Sequence, residues 1–466
     1  MDQTKGEPAR AQGLVARANQ RTPEKEGEYP GLPRDHLQVD PTVTRHGLPA
    51  GKLACTAKHF AGYSAPVAGI NLAPSSIGER EMRDTHLPRF RMAVRDAGIY
   101  AVMPSYNEVD GVPAHANRWL LHQILREEWQ FEGVVFSDYA GIMMLDHFHH
   151  TASSAKEAAL QALQAGVDVE APFPWGYAQL KELLDEGRVT EAMIDRAVSR
   201  ILRIKFMMGL FEKPYIDPAR VREAVRTPEH LKLAREVAEE SIVLLKNEGG
   251  LLPLDPKRLK SIAVIGPNAH QVQFGDYSPT RSNQHGVTVL QGIREVAGKE
   301  LQIRYAKGCD ITGNDRSGFD EAILAASQSD LVILVMVHGR PYAIAWEKAH
   351  LPAILETWYP GEEGGRAVAN ILFGITNPSG RLSMSIPQSV GHVPVYYSHK
   401  PSGRGYYRDP GSPEKPGHDY VFASTEPLFS FGYGLSYTTF RYDDLQVERD
   451  RYRGFPAPPH QRGRGG

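Results

Sequence analysis

The sequence predicts an α/β fold in two successive units, and three observations carry that prediction. From residue 53 onward, short apolar runs alternate with amphipathic stretches of helical period. One such run, Val134-Val135-Phe136, has the unbroken apolar character of a strand buried on both faces, and it stops abruptly at Ser137-Asp138. After several long helical segments, the alternation of strand and helix resumes near residue 261.

Residues 1–50 are rich in Pro, Gly, Arg and Glu without clear periodicity, and read as an irregular or disordered lead-in. The first unit, 51–215, has strands expected at 53–57, 99–103, 134–136 and around 166–170. Its amphipathic helices are expected at 79–97, 118–129 and 155–165, and longer helical segments follow at 176–186, 190–208 and 228–246. The second unit, 216–440, has buried strands expected at 261–265, 301–305, 331–337 and 352–358, with helices near 318–328 and 365–373. The tail, 441–466, turns into a low-complexity Pro/Arg/Gly segment and reads as disordered.

A chain of 466 residues is long enough for two or three domains and a sizeable core. Its formal charge of −2 gives no footprint for nucleic acid or an anionic membrane. No apolar run approaches the roughly 20 residues that span a bilayer. The opening Met-Asp-Gln-Thr-Lys-Gly-Glu-Pro lacks the apolar core of a secretory signal, so the chain as written is expected in the cytoplasm by default. Cys55 and Cys309 lie far apart, and read as buried small hydrophobes and not as a disulfide framework.

Chemistry is expected at the strand ends. Asp138 follows the 134–136 run, and the C-terminal end of a parallel strand is where barrel enzymes keep their reactive groups. An aspartate there also serves as a helix cap. Lys58-His59-Phe60 follows the first strand and points to the same end. Lys supplies three donors and His one donor and one acceptor, a match to vicinal hydroxyls. The plainer alternative is a solvated lysine and a packed histidine. Tyr106, in Ser105-Tyr106-Asn107, ends the second strand, where a core aromatic with a satisfied hydroxyl is an equal reading. Asp168 reads as structural support. His147, His149 and His150 cluster locally without a carboxylate or Cys at ligand spacing, so they read as surface histidines and no metal is expected.

The block Met103-Pro104-Ser105-Tyr106-Asn107-Glu108-Val109-Asp110-Gly111-Val112-Pro113 continues through Asn117-Arg118-Trp119-Leu120-Leu121 and Leu125-Arg126-Glu127-Glu128-Trp129 to Ser137-Asp138-Tyr139. In order and spacing it resembles glycoside hydrolase family 3, the retaining exo-β-glycosidases that include β-glucosidases and β-xylosidases. Leu244-Leu245-Lys246-Asn247-Glu248, Trp358-Tyr359-Pro360-Gly361-Glu362-Glu363-Gly364-Gly365, Asn377-Pro378-Ser379-Gly380-Arg381-Leu382 and Phe431-Gly432-Tyr433-Gly434-Leu435-Ser436-Tyr437-Thr438 resemble the family's α/β sandwich domain. The resemblance covers about residues 52–445. It implies the C-terminal part of a (β/α)8 TIM-like barrel followed by that sandwich, with the tail starting a fibronectin III-like domain. It also implies Asp138 as nucleophile, Lys58 and His59 on sugar hydroxyls, and Tyr106 beside the nucleophile. No cofactor is implied. The implied partner is a β-linked oligosaccharide or an aryl or alkyl β-glycoside.

Three departures from the family pattern stand out. A full barrel takes about 250 residues, and strands for roughly four of its eight are found here. Relatives carry Gly-Arg-Asn where this chain reads Gly69-Ile70-Asn71, and isoleucine makes no charge-assisted hydrogen bond. The run Ser329-Asp330-Leu331-Val332-Ile333-Leu334-Val335 passes directly into Met336-Val337-His338-Gly339-Arg340-Pro341, where relatives place several dozen residues carrying the acid/base glutamate. No acid/base is therefore found, and Glu362 and Glu363, in a turn that the family keeps beside its true acid, are not substitutes. Two functional readings follow: a glycosidase with its nucleophile but without its usual acid/base, or an inactive remnant or carbohydrate-binding pseudoenzyme. The β-N-acetylglucosaminidase branch is disfavoured, because Lys58-His59-Phe60 continues as Ala61-Gly62-Tyr63-Ser64 and no Asp-Ser-His segment follows.

Overall fold

The computed structural model describes residues 53–275, 277–278, 283–336, 344–392, 395–398, 412, 414–415, 424–439 and 441. The expected lead-in, 1–50, and the tail beyond Arg441 lie outside the described residues. The chain divides into two compact units, Met1–Val221 and Arg222–Gly466.

In the first unit β1 (Thr56–Phe60) starts three residues later than the sequence suggests. Helix α1 (Pro88–Arg95) leads to β2 (Ala101–Pro104), and a small hairpin, β3 (Glu108–Val109) with β4 (Val112–Pro113), follows it. Helix α2 (Trp119–Glu128) winds in the wider π form and returns the chain to β5 (Val134–Val135). Strands β1, β2 and β5 pair in parallel in that order, so their C-terminal ends share one edge. The β1–β2 register breaks between Ala57 and Phe60, which places an irregularity at Lys58-His59. Such breaks re-aim side chains. Phe60, Met82, Leu120, Leu121, Ile124, Leu125 and Ile142 are fully buried, which makes this sheet and its helices one core.

Helix α3 (Ala155–Ala165) has the bounds the sequence predicts. Ser154 accepts the Glu157 N–H at its start, and Gly166, at φ 111°, closes it in the left-handed conformation that glycine adopts without strain. The strand expected near 166–170 reduces to one bridge between Phe136 and Val169. The reason is local: the Asp168 carboxylate takes the Val135 N–H at 2.8 Å, where a backbone carbonyl would otherwise pair. Helix α4 (Glu191–Met207) buries only Ala197, and Val198, Leu202 and Phe206 lie exposed on successive turns.

In the second unit the segment expected as one helix over 228–246 is two elements. Helix α5 (Pro228–Ser241) stops, and the buried run that follows forms β6 (Val243–Asn247). Strand β7 (Ser261–Ile265) is wholly buried between its parallel neighbours β8 (Gln302–Ala306) and β9 (Leu331–Leu334). Between β7 and β8 lies α6 (Val289–Ala297), started by a Thr288/Gln291 capping box, and α7 (Phe319–Ser327) connects β8 to β9. The last strand, β10 (Ala353–Glu356), pairs antiparallel with β6 and is half-buried, where the sequence suggests a buried strand. Helix α8 (Gly364–Leu372) packs its apolar face into the core with Leu244, Ile262, Val264 and Ile293.

Both cysteines are exposed, against expectation. Cys55 precedes an end strand and Cys309 follows one in a loop, so neither position offers a core. Among the described residues no helix is long and apolar enough to cross a membrane.

Candidate active site

The shared C-terminal edge of β1, β2 and β5 places Lys58, His59, Tyr106 and Asp138 towards one end of the sheet. Asp138 is only 8% exposed, and its two carboxylate oxygens are treated differently. Oδ1 accepts from the Tyr106 hydroxyl at 2.8 Å and from the Tyr139 N–H at 2.8 Å. Oδ2 is buried and accepts no hydrogen bond, while His59 Nε2 stands 3.3 Å from it. One oxygen is thus fixed and the other keeps its lone pairs. Burial pushes the His59 pKa down, Asp138 opposes that shift, and Lys58 adds to it. Lys58 itself is exposed.

Two histidines to which the sequence reading gives no role at the site support this arrangement. His115 is buried, and its Nε2 accepts the Asp138 backbone N–H at 3.1 Å. Burial, with a smaller push from His149, holds the His115 pKa down to about 3, against a backbone hydrogen bond at Ser105. The ring is neutral, with its proton on Nδ1. His149 belongs to the cluster expected on the surface, yet its side chain is 2% exposed and both ring nitrogens face oxygen atoms. His147 and His150 are exposed, as expected. Among the described residues no group of three or more His, Cys, Asp or Glu could hold a metal.

A Cβ on Gly141 would lie 2.2 Å from His115 Nε2. Gly141→Ala must therefore displace the ring that holds the Asp138 backbone. It is expected to lower stability by about 1–3 kcal/mol, the usual cost of overpacking, read from urea unfolding midpoints. A midpoint equal to that of the parent would contradict this close packing.

Behind the site, Asp168 accepts from Arg126 Nη2 at 2.8 Å and Arg200 Nη1 at 2.7 Å as well as from Val135 N–H. Arg126 also donates to the Phe131 and Gly133 carbonyls at 2.7 Å each. Burial pushes the Asp168 carboxyl up, against the pull of both guanidiniums, and pushes Arg126 down to about 10. This network anchors the strand that ends in Asp138. It agrees with the structural role read for Asp168.

Among the described residues, the Asp138 side chain meets the Tyr106 hydroxyl, the Tyr139 N–H and His59, and its backbone meets His115 and the Gly141 N–H. Ile70 is exposed in the loop after β1. In the second unit, Glu362 pairs with Arg226 at 2.8 Å, and buried Glu363 is held by Arg366 at 2.9 Å.

A partial parallel barrel carrying a buried carboxylate at a strand end, followed by an α/β sandwich, is the architecture that comparison with known proteins also returns. The glycosyl hydrolase family 3 N-terminal domain model matches residues 41–204, and that family's C-terminal domain model matches 242–337 and 324–437. The chain belongs to glycosyl hydrolase family 3. It is 39% identical over 454 residues to a β-xylosidase of Formosa agariphila, with 84% of this chain and 60% of that protein covered. It is 36% identical to a periplasmic β-glucosidase of Salmonella typhimurium, covering 84% of this chain and 59% of that one. Among solved structures, a β-glucosidase from Erythrobacter marinus superposes with a TM-score of 0.78 at 38% identity, covering 86% of this chain and 61% of that chain. A β-glucosidase from Listeria innocua in complex with glucose gives 0.76 at 33% identity, covering 87% and 60%. The chain spans about 60% of the length of the curated relatives it matches.

Proposed function

We propose that this chain is a retaining exo-β-glycosidase of the β-glucosidase or β-xylosidase type, with Asp138 as nucleophile and without the usual glutamate acid/base. The observation that carries the reading is the asymmetry of the Asp138 carboxylate. A nucleophile needs one oxygen free to attack while the other is held, and here Oδ1 has two donors and Oδ2 none.

Oδ2 attacks the anomeric carbon, and the glycosidic C–O bond breaks with its electron pair leaving on the aglycone oxygen. Tyr106 and the Tyr139 N–H spread the carboxylate charge in the resting state, and Lys58 and His59 bind sugar hydroxyls. Water then attacks the anomeric carbon of the glycosyl-enzyme, and the C–O bond to Asp138 breaks with its electron pair returning to the carboxylate. The water's surplus proton passes to solvent, and the sugar leaves with net retention. One feature supports the missing acid/base: the family's C-terminal domain matches in two stretches that overlap at 324–337, where the sequence lacks the segment that carries it in relatives. Without that group, substrates whose leaving oxygen needs no protonation are favoured, such as aryl β-glycosides. Relatives from Listeria innocua solved with glucose and with laminaribiose favour a β-glucoside.

The test is intact-mass analysis after incubation with the dinitrophenyl 2-deoxy-2-fluoro-β-glucoside and the corresponding xyloside. Good leaving groups remove the need for an acid, and fluorine slows release of the sugar. A single sugar adduct on the parent, lost in Asp138→Ala, is the expected result. No adduct with either probe, in a sample whose circular dichroism shows it folded, would instead favour an inactive or merely sugar-binding protein.

A further inference from the structure

We propose that His149 and Glu108 form a positioning device for Tyr106, and through it for Asp138; this rests on Asp138 being the nucleophile. The His149 side chain is 2% exposed, and it lies in the loop that follows the nucleophile strand β5. Its Nε2 is 3.0 Å from the Tyr106 carbonyl oxygen, and its Nδ1 is 2.9 Å from Glu108 Oε1. A carbonyl oxygen only accepts, so Nε2 carries a proton and donates it to Tyr106. Nδ1 faces the Glu108 carboxyl group across the second contact. The ring therefore ties the loop after β5 to the loop after β2.

The far side of the β2 loop is also held. Ser75 N–H donates to the Glu108 carbonyl at 2.8 Å, and Asn107 Nδ2 donates to Ser75 Oγ at 2.9 Å. With its backbone clamped from both sides, Tyr106 has only its two side-chain torsions left to set where its hydroxyl sits. That hydroxyl has one proton and two acceptors in reach, Asp138 Oδ1 at 2.8 Å and the Tyr139 carbonyl at 2.9 Å. A small shift of the Tyr106 backbone decides between them. The ring meets Tyr106, Glu108 and Phe148 and not Asp138, and acts by holding the donor that fixes Oδ1. The closing turn supports this placement, since His149 N–H donates to the Met144 carbonyl at 2.8 Å.

The experiment compares His149→Gln, which retains a donor able to reach the Tyr106 carbonyl, with His149→Asn, which reaches only Glu108. His149→Phe removes both bonds. The first readout is the Tyr106 ring 13Cζ resonance, assigned by its loss in Tyr106→Phe and tied to the carboxylate by its shift in Asp138→Asn. It should move in the Asn and Phe variants and return in Gln. The second readout is the rate of Asp138 labelling by the fluoroglycoside. It should fall roughly 10²-fold in the Asn variant, the cost of a misplacement of about 1 Å, with reversible competitor binding unchanged. In a Tyr106→Phe background the same change should slow labelling no further. An unmoved resonance in His149→Asn, or a loss that persists in the Tyr106→Phe background, would overturn the proposal. Should the parent not label at all, the nucleophile assignment fails while the resonance still decides whether His149 places Tyr106. If His149→Phe does not fold, the Asn and Gln pair carries the comparison.

Discussion

Asp168→Leu is expected to lose about 3–5 kcal/mol of stability, because it strands a buried guanidinium. Arg126 has a side chain only 9% exposed, and Asp168 is its one recorded carboxylate partner among the described residues. The substitution also removes the acceptor of the Val135 N–H, leaving a buried donor unpaired at the strand that carries Asp138. Two comparisons separate this from generic damage. Arg200→Ala should cost roughly 1 kcal/mol or less, because Arg200 is partly solvated and its departure leaves Asp168 still paired. The double variant Asp168→Leu/Arg126→Met should be more stable than Asp168→Leu alone, since no buried charge remains. Urea unfolding followed by tryptophan fluorescence measures all three. If the double variant is the weakest, the buried-charge argument is wrong.

Acid should weaken the first unit through His115. Its folded pKa is about 3, against 6.5 for an ordinary histidine. Between those values the unfolded chain binds a proton that the folded chain refuses. Stability from this group is therefore fully present above pH 6.5 and is lost progressively as pH falls towards 3. The loss reaches about 3 kcal/mol at pH 4 and about 5 kcal/mol at the lower limit. His59 and His86, both with lowered values dominated by burial, add losses of the same sign. In His115→Gln the amide oxygen can accept the Asp138 N–H without a titrating ring. The drop in urea midpoint from pH 7 to pH 4 should shrink by the His115 share. Parallel losses in parent and variant would remove His115 from the account.

Much of the fold was legible because local signals agreed with one another. Helix α3 carries a serine cap, a small-residue face and a terminal glycine, and its bounds match the sequence reading. Strand β7 is five apolar-compatible residues buried throughout, and it matches as well. The α5–β6 junction was misread because Ile242-Val243-Leu244-Leu245 is an unbroken apolar run, in which helical and strand periods cannot be told apart. Helix α6 was missed although Thr288 and Gln291 announce its start. At the site, strand ends are visible in sequence, so the approach of His59 and Tyr106 to Asp138 was foreseeable. His115 and His149 were not, because their partners lie 23 and 41 or more residues away. Nothing local distinguishes a histidine that holds a backbone amide from one in solvent.

The apolar ribbon on α4 has a thermodynamic consequence. Phe206 is 60% exposed and packs against the exposed Phe211 ring at 4.3 Å, with Leu202 and Val198 one and two turns before it. Water already surrounds these side chains in the folded state, so unfolding uncovers less new hydrocarbon there. These side chains therefore add little to the heat-capacity increment of unfolding, which grows by about 0.45 cal/mol/K for each Å² of apolar surface newly uncovered. Covering the ribbon with a partner surface would steepen the temperature dependence of stability in proportion to the area covered.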